Sequence, residues 1–120
     1  MAVRTFQQTW YIQGTLAANH TISYKMPFDA QLIHVSLNNT TANAGTLKIG
    51  TSSDDDAYLA AENFGVSGTP VEVETPAGFD GATAGGQYPH IPKDTIVLLT
   101  ITDHASHMAA AAVVLTFTEG

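Results

Sequence analysis

The chain has no cysteine and few positively charged residues. Without thiols, the protein cannot use disulfides, thiolate metal sites or a cysteine nucleophile. Four Lys and Arg residues stand against 11 Asp and Glu residues, which gives a formal net charge of −7 at pH 7. Because binding to nucleic acid or to an anionic membrane depends on clustered positive charge, neither partner is expected. The four bases are scattered along the sequence: Arg4, Lys25, Lys48 and Lys93.

Long apolar runs are missing as well. The N-terminal sequence MAVRTFQQT lacks the apolar core of a signal peptide. No apolar run approaches the ~18 residues of a membrane span. We therefore expect a soluble protein that is made in the cytoplasm. A chain of 120 residues is long enough for one hydrophobic core, so a single domain over residues 1–120 is expected.

Alternation of apolar and polar residues with a period of two runs through most of the sequence, and it predicts half-buried strands. Seven or eight such strands, separated by turn-rich segments, indicate an all-β fold. We predict a single-domain β-sandwich, and an eight-stranded jelly roll fits the spacing. The predicted strands cover residues 10–16, 20–26, 33–37, 47–49, 71–73, 95–102 and 108–118.

The segment GTSSDDDAYLAAENFG at residues 50–65 interrupts this pattern. Ser53 can cap a helix, and Asp54–Asp56 would then face the positive end of its dipole. The sequence therefore predicts one short helix near residues 54–63. A calcium site built from the three aspartates is the alternative, although the spacing of an EF-hand loop is absent.

Two other segments are interpreted as contact regions. Residues 75–90, TPAGFDGATAGGQYPH, form a long Gly-rich loop, and such loops inside a compact domain are often functional. Residues 1–9 form an N-terminal segment that is too polar for the core. Both are expected to reach other proteins.

Histidines near the C-terminus are candidate metal ligands. His104 and His107 form an H-x-x-H pair on a predicted turn, but a site would need a further ligand such as His90 or Asp103. Solvated turn histidines are the other interpretation. No cofactor is predicted.

Catalytic patterns are weak. Asp103, His104 and Ser106 are the residue types of a hydrolytic triad, but neighbours on one turn point apart. A carboxylate pair for glycosidase chemistry could come from Glu72, Glu74 or Asp80, but Glu72 and Glu74 fall on one outward strand face and are interpreted as solubilising charges. The sequence therefore does not predict an enzyme.

The last two predicted strands are apolar on both faces, and we interpret them as a hairpin. Since a sandwich exposes one face of each sheet, the second apolar face needs cover. Either the loop at residues 76–90 or another copy of the chain could provide that cover. The candidate interface residues are Ile96, Leu98, Ala110, Ala112 and Val114.

The order of several segments carries a resemblance to a known family. The segments are PFDAQLIHV, TLKIGTSSDDDAYL, VSGTPVEV, GQYPHIPKDTIVLLT and VVLTFTEG, within residues 20–120. They resemble small proteins of tailed-phage structural gene clusters, similar to the head decoration (cement) proteins.

This resemblance implies a jelly-roll protein, usually a homotrimer, on the outer capsid surface of the virion. It would be made in the host cytoplasm and would bridge subunits of the major capsid protein. We expect docking through the loops at one end of the sandwich and through residues 2–9 of the N-terminal segment. The candidate docking residues are Arg4, Phe6, Gln7, Phe79 and Tyr88.

A carbohydrate-binding module is the alternative, because these modules are also β-sandwiches and exposed aromatic rings can stack on sugars. The aromatic candidates are Trp10, Tyr11, Tyr58, Phe79 and Tyr88.

Overall fold

The computed structural model describes residues 4–120, and nine strands run through them. A short 3₁₀ turn at Pro76–Gly78 is the helical element of this part of the chain, and no helix in it is long and apolar enough to cross a membrane. The strands are β1 Thr5–Thr15, β2 His20–Lys25, β3 Ala30–Asn38, β4 Thr46–Gly50, β5 Leu59–Asn63, β6 Val71–Val73, β7 His90–Ile91, β8 Ile96–Thr102 and β9 Ala109–Glu119.

The strands form two antiparallel sheets. One has the order β1-β9-β3-β6, with the short β7 also pairing with β3, and the other has the order β2-β8-β4-β5. From β1 to β4 the chain alternates between the two sheets, as in a two-sheet jelly roll, and β5 stays beside β4 in the four-stranded sheet. The predicted all-β sandwich is therefore confirmed.

The core lies between the two sheets and follows the predicted alternation. In β8, Val97, Leu99 and Ile101 are buried, and in β9 Phe117 is fully buried. Phe6 of β1 stacks on Phe117 with ring centroids 5.0 Å apart, which joins the N-terminal and C-terminal strands. Apolar burial of this kind is the main stabilising term of such a domain.

The helix predicted near residues 54–63 is wrong. Thr51 and Asp54 exchange backbone hydrogen bonds across a tight turn, and Leu59–Asn63 is the edge strand β5, paired with β4. A Cβ atom at Gly50 would lie 2.2 Å from the Asp54 carbonyl oxygen, so the turn folds back directly onto the end of β4. The three aspartates therefore sit on this turn and cap no helix.

The two predicted contact segments are parts of the fold. Thr5 to Thr9 belong to β1, and residues 1–3 of the N-terminal segment lie outside the described residues. In the loop at residues 75–90, the backbone N–H groups of Thr83 and Ala84 both donate to the Ala57 carbonyl oxygen at 2.8 Å. The loop is thus bound to the turn that carries the aspartates and is not a free arm.

Candidate functional site

The predicted hairpin of the last two strands does not exist, and this divides the candidate interface in two. β8 lies in the four-stranded sheet and β9 in the five-stranded sheet. Ile96 and Leu98 therefore point outward from one side of the sandwich, while Ala110, Ala112 and Val114 lie on the other side. The prediction of one continuous face was wrong because alternation identifies strands but not their partners.

The outward residues of β1 and β9 form a surface that we call the β1–β9 face. Eight of its residues form four cross-strand pairs, and none of the eight carries a charge. Tyr11 is 61% exposed, the highest value among the large apolar or aromatic side chains in residues 4–120. The pairs are Thr5 with Thr118, Gln7 with Thr116, Thr9 with Val114 and Tyr11 with Ala112.

The free edge of the same sheet is also unusual. β1 is an edge strand of 11 residues, TFQQTWYIQGT, without a charged residue or a proline. Natural edge strands are commonly short or protected by lysine, proline or bulges, because unpaired backbone groups recruit other strands. β1 has one irregularity, between Ile12 and Thr15, at the end of its pairing with β9. Most of its length can therefore accept a neighbouring chain.

Two of the candidate docking residues are tied to the sandwich at the start of β1. Arg4 pairs with Glu119 and lies 4.6 Å from the centre of the Phe28 ring. The hydrogen bond from Arg4 lowers the pKa of Glu119. Phe6 packs between Phe28 and Phe117, so its ring is occupied within the chain. Of the two, only Arg4 presents an exposed side chain.

The other three docking candidates differ in exposure. Gln7 is exposed and its Nε2 donates to Thr116 Oγ1 at 3.1 Å on the β1–β9 face. Tyr88 is half-buried, and its hydroxyl donates to the Glu74 carbonyl oxygen at 3.0 Å. Phe79 is fully buried and therefore cannot serve as a docking side chain, which corrects the sequence-based expectation.

The turn between β8 and β9 is organised by one carboxylate. Asp103 Oδ1 accepts hydrogen bonds from the backbone N–H groups of His104 (2.9 Å) and Met108 (2.8 Å), and Oδ2 accepts from His107 Nδ1 (2.7 Å). His104 Nδ1 accepts from the backbone N–H of Ser106, not from its hydroxyl. The predicted residue types are close together, but the side chains are used to build the turn and do not form a triad.

The pKa of Asp103 is set by this network. Burial alone raises it, but the hydrogen bonds from His107, Met108 and His104 outweigh burial and lower the pKa below its ordinary value. The stabilising contribution of Asp103 is therefore full above the unfolded-state pKa of about 3.9 and is lost as the pH falls through the folded-state pKa.

We expect Asp103→Asn to reduce the free energy of unfolding at pH 7 by about 1–2 kcal/mol, because the amide cannot accept from His107 as the carboxylate does. The difference from the wild type should shrink below pH 4. Urea unfolding at a series of pH values measures both effects. A difference that stays constant down to pH 2 would contradict the proposed linkage.

Two groups of three potential metal ligands occur within residues 4–120. Asp54, Asp55 and Asp56 lie together on the turn after β4, where Lys48 Nζ is 3.6 Å from Asp55 Oδ2. The hydrogen bond with Asp54, together with partial burial and the neighbouring charges, raises the pKa of Asp56.

The second group consists of His34, Glu72 and Glu74 on the outer face of the five-stranded sheet. It was not predicted, because it joins residues of two strands and the sequence does not reveal the register in which those strands pair.

The aromatic residues considered for sugar binding do not share a surface. Trp10 points inward and packs edge-to-face on Tyr24, with centroids 5.8 Å apart, while Tyr11 points outward from the same strand. Tyr58 and Tyr88 both line a small surface cavity of about 240 Å³, but Tyr58 is buried. The flat platform typical of sugar-binding sandwiches is thus not formed by these five residues.

Comparison with solved structures finds a similar fold in a chain described as "Cyanophage Pam1 capsid asymmetric unit". The TM-score is 0.56 and the sequence identity 20%, and the match covers 98% of this chain and 85% of the other. At this identity the likeness establishes the shared fold. No protein-family model and no curated protein matches the chain.

Proposed function

We propose that this protein is a structural component of a bacteriophage virion, and specifically a head decoration (cement) protein. The observation that carries the proposal is the fold likeness to a chain of a cyanophage capsid asymmetric unit, which extends over 98% of this sequence. The resemblance of the sequence segments to decoration proteins supports the same role. In this role the protein binds the outer head surface and stabilises junctions between subunits of the major capsid protein.

The charge distribution supports a role in protein contacts. The chain carries a net charge of −7, so two copies repel each other at most orientations. None of the eight paired residues of the β1–β9 face carries a charge, and Tyr11 is exposed on this face. Tyrosine is one of the residue types that most often anchor protein interfaces. This face, with the unprotected edge of β1, is where we propose that copies associate into a homotrimer.

A trimer binds the head through three linked copies, so its binding is multivalent. When one copy has docked, the other two are held close to neighbouring coat subunits, which raises their effective concentration without new kinds of contact. Modest affinity per copy is then enough for stable decoration. Among the candidate docking residues, Arg4 has an exposed side chain and lies outside the four residue pairs of the β1–β9 face, so it remains available for this role.

The trimer proposal predicts the effect of one added charge. Thr9→Lys, on the β1–β9 face, should convert the trimer to a monomer, because three like charges would be buried close together. Thr21→Lys is the matched control, since Thr21 is an exposed, outward threonine on β2, the edge strand of the other sheet. Light scattering at tens of micromolar protein gives the masses. A monomeric wild type, or equal masses for both variants, would contradict the proposed interface.

The function itself is tested with purified, undecorated expanded phage heads. The protein should co-sediment with the heads in a saturable manner, and decorated heads should survive heating or low ionic strength better than bare heads. Binding without a gain in head stability would refute the cement role. Absence of binding to heads, together with specific retention on a glycan array, would favour the carbohydrate-binding alternative.

A further inference from the structure

The second ligand group lies on neighbouring strands of the five-stranded sheet. Ser36 of β3 pairs with Glu72 of β6, and Val35 pairs with Val73. Continuing this antiparallel register places His34 opposite Glu74. Residues two apart on a strand share a face, so Glu72 and Glu74 both point outward next to His34. His34 Nε2 is 3.4 Å from Glu72 Oε1.

The spacing of the donor atoms suits a metal ion. One donor atom from each of His34, Glu72 and Glu74 lies within 4.8 Å of the other two. Zinc binds imidazole nitrogen and carboxylate oxygen at about 2.0–2.2 Å, so two donors of a tetrahedral site are about 3.4 Å apart. The His34–Glu72 distance already meets this value, and a carboxylate oxygen of Glu74 lies within 4.8 Å of both donor atoms.

The surrounding charges favour a cation at this position. The ion pairs made by Lys and Arg in residues 4–120 are Arg4–Glu119, Lys25–Asp94 and Lys48–Asp55, and none involves either glutamate of the group. Two carboxylates therefore face one imidazole, which can carry at most one positive charge. A divalent cation would balance both carboxylates.

The backbone under the group is held in place. Glu72 lies within the ladder of β6 with β3, and the hydroxyl of Tyr88 donates to the Glu74 carbonyl oxygen at 3.0 Å. His34 is partly buried, with a side chain 28% exposed, so its ring has limited freedom. Ligands on a supported sheet lose less conformational entropy on binding than ligands on a mobile loop.

We propose that His34, Glu72 and Glu74 form a binding site for a divalent transition-metal ion, with Zn²⁺ as the representative ion. One imidazole and two carboxylates, without thiolate, favour Zn²⁺ and its neighbours in the transition series over Mg²⁺. Three protein ligands leave at least one coordination position, which faces solvent because both glutamates are exposed. The site is independent of the proposed role in the phage head.

Calorimetric titration of the chelator-treated, full-length protein with ZnCl₂ tests this proposal. We expect one Zn²⁺ per chain, with affinity reduced at least about tenfold in each of His34→Gln, Glu72→Gln and Glu74→Gln. Binding of Co²⁺ should give visible absorption bands that are lost in the same variants. His104→Gln and Glu62→Gln are the controls, because they remove the same residue types elsewhere on the surface, and they should bind like the wild type.

Melting temperatures measured in the presence of chelator show whether the variants are folded. All three ligand variants should melt close to the wild type, since the two glutamates are exposed and the substitutions keep side-chain size. A wild type that does not bind one equivalent, or ligand variants with unchanged affinity, would overturn the proposal. Loss of binding in His104→Gln alone would place the ion on the turn between β8 and β9 and would also overturn it.

Discussion

Replacing Asn39 by aspartate is expected to reduce the free energy of unfolding at pH 7 by about 3–5 kcal/mol. Asn39 is the one fully buried polar side chain among residues 4–120. Its Nδ2 donates to the carbonyl oxygens of Gly65 (2.8 Å) and Asn43 (3.3 Å), and its Oδ1 accepts from the backbone N–H (2.9 Å) and hydroxyl (2.6 Å) of Thr41. Aspartate would set a buried negative oxygen against these two carbonyl groups.

The pH dependence identifies the cause. A protonated aspartic acid can donate to the Gly65 carbonyl oxygen, so the folded state would hold its proton and the pKa of the new carboxyl would be raised. The loss of stability should therefore become smaller as the pH falls from 7 to 4. Urea unfolding at pH 7 and at pH 4 measures the loss of stability at each pH. Asn63→Asp, at the exposed end of β5, is the control and should change stability by less than about 0.5 kcal/mol.

Replacing Asn39 by leucine separates hydrogen bonding from charge. Leucine leaves the Thr41 backbone N–H without its acceptor, and a loss of about 2–4 kcal/mol that is independent of pH is expected. If both variants are as stable as the wild type, Asn39 does not hold the loop of residues 39–45 to Gly65.

The sequence was sufficient to predict those strands in which apolar and polar residues alternate regularly. Residues 20–26 and 33–37 lie in or next to β2 and β3, and burial follows the predicted faces except at Ile33, because the register with β9 shifts between Leu32 and His34 and Leu32 is the buried residue. It failed for Leu59–Asn63, where Leu, Ala and Glu favour helix and the preceding Ser and Asp residues resemble a helix start. Pairing with β4 overrides this local preference, and such tertiary effects are not visible in a window of residues.

The sequence does not reveal which strands pair or in which register they pair, and the candidate sites depend on both. β8 and β9 are adjacent in the chain and were expected to pair, but the jelly-roll topology puts them in opposite sheets. The group of His34, Glu72 and Glu74 depends on the register of β3 with β6. The alternation of apolar and polar residues correctly placed both glutamates on an outward face. Only the register of β3 with β6 shows that His34 lies beside them, and this changes their interpretation from solubilising charges to the proposed metal ligands.

Phe79→Ala is expected to reduce the free energy of unfolding by about 3–5 kcal/mol, the usual range for removing a fully buried aromatic ring. Phe79 is 0% exposed and packs edge-to-face against Tyr88, with ring centroids 5.7 Å apart. Its carbonyl oxygen also accepts from the Gly86 backbone N–H at 2.7 Å, so the ring and the backbone together close the loop at residues 75–90.

This variant distinguishes the two interpretations of the Gly-rich loop. If the loop is an integral part of the sandwich, as its contacts indicate, Phe79→Ala lowers the melting temperature and Phe79→Leu lowers it less, because leucine refills part of the cavity. A docking arm would instead lose head binding at unchanged stability. Gly81→Ala provides an independent check, since its Cβ atom would lie 2.1 Å from the Asp56 carbonyl oxygen and would force the loop away from that turn. Unchanged melting temperatures for both alanine variants would mean that the loop is not packed and would restore it as a candidate docking element.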